Sequence, residues 1–85
     1  MAQVTVGGIV YHITTPGVPA PVAGAVLVPG PQAMGLSRAI ATELVNSGQT
    51  STVATMVGDM VVGSPQDGIS TIGGWIATGR LQVWT

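Results

Sequence analysis

The chain has 85 residues, of which 6% are charged, with a formal net charge of −1 and no cysteine. An ordinary soluble domain carries about 25% charged residues. Two arginines, three acids and one histidine exclude a disulfide framework, a thiolate centre, a basic nucleic-acid surface and a polybasic membrane anchor.

Residues 3–13 read as strand. Val4 and Val6 alternate with polar neighbours, and Ile9-Val10-Tyr11-His12-Ile13 follows. Gly7-Gly8 between two β-rich runs signals a two-residue hairpin turn, because both turn positions need positive φ. Residues 14–31 form a Pro/Gly-rich arm with prolines at 16, 19, 21, 29 and 31. Proline removes a ladder donor, so a central strand is excluded over most of this stretch. One short strand is expected at 24–28. The arm either packs on its own domain or crosses to a neighbouring subunit by strand addition.

Residues 32–47 carry the one helix the pattern predicts. Leu36, Ile40 and Leu44 fall at i, i+4 and i+8, flanked by Ala33, Ala41 and Val45. Pro31 suits its first turn and Gly48 its C-terminal cap, with Ser37 as an alternative N-cap. Residues 50–63 are rich in Thr and Val and read as strand, with Gly58-Asp59 as a bulge or turn. Ser64 to Gly68 reads as a turn. Ile69 to Thr78 reads as a second hairpin about Gly73-Gly74, echoing Gly7-Gly8. Arg80 to Thr85 reads as a strand with Leu81 and Val83 on one face and Arg80, Gln82 and Trp84 on the other. The expected fold is α+β and mostly β: short antiparallel hairpins, one amphipathic helix at about 32–47 and an extended arm at about 14–31, in a single domain, 1–85.

Candidate chemistry is sparse. His12 would need an orienting carboxylate and a nucleophile to act as a base, and neither Asp59 nor Asp67 is near it in sequence. The serines lack a nucleophile-elbow context. The acids are too scattered for the clustered oxygens of a calcium site. The Gly-Gly pairs do not make a phosphate loop. No enzyme activity, cofactor, metal site or direct nucleic-acid contact is expected. Met34, Met56 and Met60 are either an adaptable contact surface or core filling. Trp75 and Trp84 are the only large rings apart from Tyr11. One should anchor the core, leaving Trp84 as a candidate interface anchor.

A mean hydropathy of +0.56 raises the question of a membrane. The longest unbroken apolar stretches, such as Ala25–Val28, fall far short of the roughly 20 residues a spanning helix needs. The N-terminus lacks the basic start and apolar core of a secretion signal. A domain this small usually relies on disulfides, a metal or oligomerisation, and the composition leaves oligomerisation. It also lacks the interspersed charge that keeps a free monomer soluble, and the lysines that guard strand edges. These features predict a non-enzymatic structural subunit of a symmetric shell or tube. A viral capsid decoration or cement protein, or another minor virion component, fits best, with the virion as its location and the cytoplasm otherwise. Its partners would be further copies of itself and a larger protein shell. Contact is expected at Pro16, Pro19, Pro21, Pro29, Pro31 and Trp84. The alternatives are a small oligomeric ligand- or peptide-binding module, and a self-assembling or membrane-interactive β protein.

Overall fold

The two β-rich runs around Gly7-Gly8 fold as a hairpin. Strand β1 (Ala2–Val6) pairs antiparallel with β2 (Ile9–Thr14), and Val6 faces Ile9 across the turn. Gly7 and Gly8 have φ of 57° and 81°, the positive pair that lets a two-residue turn follow the twist of its strands. A computed structural model describes residues 1–60 and 63–85.

Strand β3 (Gln82–Trp84) pairs antiparallel with the other side of β2, setting Val83 opposite Ile13 and Trp84 opposite His12. The sheet order is β1-β2-β3. The short strand expected at 24–28 is present as a minimal rung beside β3. Val26 and Thr85 exchange both backbone hydrogen bonds at 2.9 Å, Leu27 bridges to Trp84, and the Val28 N–H donates to the Val83 carbonyl at 2.8 Å. The Pro-rich segment therefore ends on its own sheet.

Side chains alternate across a strand, and here the alternation divides two environments. Ala2, Val4, Tyr11, Ile13 and Val83 point into the core. There they meet Ile40, Ala41 and Leu44 of α1 (Gly30–Asn46), Val53 of α2 (Thr50–Val57), and Ile72, Trp75 and Ile76 of α3 (Pro65–Ala77). The opposite face carries Gln3, Thr5, His12, Thr14 and Trp84. His12 and Thr14 are buried there although the helices lie on the other side. Residues 15–25 connect the end of β2 to the 26–28 rung on the far side of β3.

The helix at 32–47 is α1, begun two residues earlier because Pro31 fits a first helical turn. The Ser37 hydroxyl donates to the Met34 carbonyl at 2.9 Å, within the helix, and caps nothing. The expectation of a mostly β chain is wrong. Among the described residues there are three helices and three short strands, so the fold is helix-rich α+β.

Two stretches account for the difference. Thr50–Val57 is helical despite its β-branched residues. Such residues cost about 0.5 kcal/mol each in a helix relative to Ala, whereas burying one valine returns roughly 1.5–3 kcal/mol. Val53 is fully buried, Met56 and Val57 pack beside it at helical spacing, and Gly58 closes the helix in the left-handed conformation, φ 76°. Val61 and Val62, part of the same expected strand, lie outside the described residues.

The second stretch is 64–78. It forms no turn and hairpin but one helix, started by a capping box. The Asp67 N–H donates to Ser64 Oγ at 3.4 Å, and the Ser64 N–H donates to Asp67 Oδ2 at 3.2 Å. Gly73-Gly74 sits inside this helix, so its likeness to the Gly7-Gly8 turn is one of sequence alone. Gly73 faces α1: a Cβ there would be in ordinary contact, 3.9 Å, with Ala41 Cβ and with the Ser37 carbonyl oxygen.

Candidate interaction surface

The two aspartates considered for chemistry are engaged in structure. Asp67 completes the capping box of α3. Asp59 pairs with Arg80 at 3.5 Å, both half exposed, so the pair contributes little in solvent. The Arg80 guanidinium also lies 5.6 Å from the centre of the Trp75 ring. His12 is 9% exposed and its Nδ1 is buried with no hydrogen-bond partner. Neither aspartate is brought to it. Among the described residues no three His, Cys, Asp or Glu side chains are grouped to hold a metal. No helix among them is long and apolar enough to cross a membrane.

The proposed contact residues fall in three places. Pro16 and Pro19 are exposed and Pro21 is partly covered along the 15–25 segment. Pro29 and Pro31 begin α1, where Pro29 occupies the N-cap position. Trp84 is half-buried on the sheet. Its indole N–H donates to the Thr14 hydroxyl at 2.9 Å, and Thr14 is 2% exposed. Trp84 thus ties β3 to the end of β2 rather than projecting outward. The structure does not gather these six residues into one site.

It gathers a different set. The Pro29 turn brings the 26–28 rung against the start of α1, and antiparallel packing of α1 and α3 sets the C-terminus of α3 beside it. A groove of about 310 Å³ opens between them, with Leu27, Ala33, Met34, Ile76, Leu81 and Val83 among its lining residues. None of the five charged side chains lines it. Of its lining side chains, Met34 is 58% exposed and Leu27 43%, and Val26, next to Leu27 in the rung, is exposed as well. Of the three methionines weighed as contact surface, Met34 and Met60 are exposed and Met56 packs on the core. The sequence signals for this groove were the apolar Ala23–Val28 stretch and Met34. Their convergence depends on the rung pairing with β3, which no local pattern announces.

Helix threonines turn their hydroxyl donors inward. The hydroxyls of Thr42, Thr55, Thr71 and Thr78 each donate to the carbonyl four residues earlier, at 2.7–2.9 Å. No known protein family, curated protein or solved structure matches the chain.

Proposed function

We propose that this protein is a non-enzymatic structural subunit that works inside a protein assembly, with the apolar groove as a contact surface. The observation that carries the reading is the exposure of Leu27 and Met34 in the lining of an uncharged groove, on a chain with five charged side chains in all. Apolar side chains clustered at a concave surface mark contact sites on soluble proteins. A lone domain of this size keeps itself dispersed with interspersed charge, and threonines bonded to their own helix supply little of that function. The contact is formed by a partner side chain entering the groove between α1 and α3.

A repeating shell or tube is the setting that such a small, charge-poor domain suits best. A decoration or cement layer on a virus particle is the fullest form of the proposal. The groove itself is tested by Leu27→Gln combined with Met34→Gln. Both side chains are exposed, so the fold is expected to survive by circular dichroism while self-association, followed by sedimentation over a concentration series, weakens at least several-fold. Association unchanged in the folded double variant would remove the groove from the account.

A further inference from the structure

The two edges of the sheet are closed by different means. The 26–28 rung ends at Pro29, which has no N–H to offer. At the other edge lies β1, with no lysine, no proline and no charged side chain, none of the usual guards of an open edge. Its guard comes from elsewhere in the chain. Gln49, in the turn between α1 and α2, lays its side-chain amide along β1. Gln49 Nε2 donates to the Gln3 carbonyl at 2.8 Å, and Gln49 Oε1 accepts from the Gln3 N–H at 3.4 Å. Nε2 also donates to Ser47 Oγ at 3.0 Å, which holds the amide in place. A carboxamide carries one acceptor and two donors on one planar group. Gln49 therefore engages the same two backbone groups that an added strand would engage.

We propose that the β1 edge is a strand-addition site for the β1 strand of a second copy, and that the Gln49 amide holds it closed. Gln3 presents its N–H and its carbonyl together on the free side. In an antiparallel ladder, residues that exchange both bonds stand directly opposite one another. A two-fold axis brings a strand edge against itself, so β1 is self-complementary. Gln3 and Thr5, the exposed side chains of β1, are neutral, so no like-charge repulsion opposes the pairing. This edge lies across the sheet from the apolar groove, and the inference stands or falls separately from the groove's role.

The test compares wild type, Gln49→Ala, and Gln49→Ala combined with Thr5→Pro, by sedimentation over one concentration series. Backbone groups alternate sides along a strand, so Thr5 presents its N–H on the same free edge as Gln3. Proline there removes an edge donor and spares the ladder to β2. Gln49→Ala is expected to self-associate roughly tenfold more tightly than wild type, because two hydrogen-bonding groups are freed for a partner. Thr5→Pro is expected to return it to the wild-type value. Gln49→Met keeps the length and the neutrality but loses both the donor and the acceptor, so it is expected to move in the same direction. It decides the matter if the alanine variant fails to fold. Unchanged association in a folded Gln49 variant overturns the proposal, as does a gain that Thr5→Pro leaves in place.

Discussion

Gly73 and Gly74 are neighbours in sequence and opposites in role. Both are helical, but Gly73 faces Ala41 and Ser37 of α1, whereas a Cβ at Gly74 would meet nothing within 4 Å. Glycine in an open helical position costs roughly 0.5–1 kcal/mol relative to alanine. Gly74→Ala is therefore expected to stabilise the protein by about that amount in urea unfolding. Gly73→Leu is expected to destabilise it by about 1–3 kcal/mol, because the extra methylenes would have to part α1 from α3. Equal effects at the two positions would contradict the described packing. Trp84 offers a second test at this scale. Trp84→Phe keeps a ring on the sheet but removes the donor to a Thr14 hydroxyl that is 2% exposed. Leaving that group unpaired costs about 1–3 kcal/mol, and Trp75 remains as a fluorescent reporter of unfolding. A variant as stable as the parent would show that the hydrogen bond contributes nothing net.

At the scale of elements, composition misled where a cap or a buried anchor outweighed it. The Gly7-Gly8 hairpin, the α1 stripe and the alternation of Leu81 and Val83 were readable, since each is a local pattern with a single physical solution. Helix α3 was readable too, in signals that were outweighed. Ser64 and Asp67 have capping-box spacing, Pro65 suits a first turn, and Ile69, Ile72 and Ile76 repeat at helical intervals. The glycine pair and the β-branched residues masked them. Ser64→Ala removes the hydroxyl that accepts from the Asp67 N–H, and a lost N-cap of this kind costs about 0.5–2 kcal/mol. The expected result is a lower urea midpoint and loss of helical signal; no change in either would show that α3 is held by its packing alone. Helix α2 is a different case. Its β-branched residues favour a strand, and the burial of Val53 in the core decides against one. The spacing of Val53, Met56 and Val57 and Gly58 at the cap were helical signals too short to outweigh that composition. The contact between Gln49 and Gln3 had no local signal at all, as it joins residues 46 apart in the chain.

For the whole molecule, the shortage of charge takes on a spatial meaning. Arg80 is shared between Asp59 and the Trp75 ring, Asp67 caps a helix, and helix threonines return their hydroxyls to their own backbone. The groove beside the 26–28 rung is uncharged and mostly apolar, with exposed Leu27 and Met34 in its lining. Trp84 and the end of the Pro-rich segment build the sheet edge, and the groove beside that edge is the surface proposed for contact. The claim that this surface belongs to an assembly is tested most directly by the mass of the purified wild-type protein in dilute, low-salt buffer, measured by light scattering. The account predicts the mass of several chains. A well-dispersed particle with the mass of a single chain would contradict it.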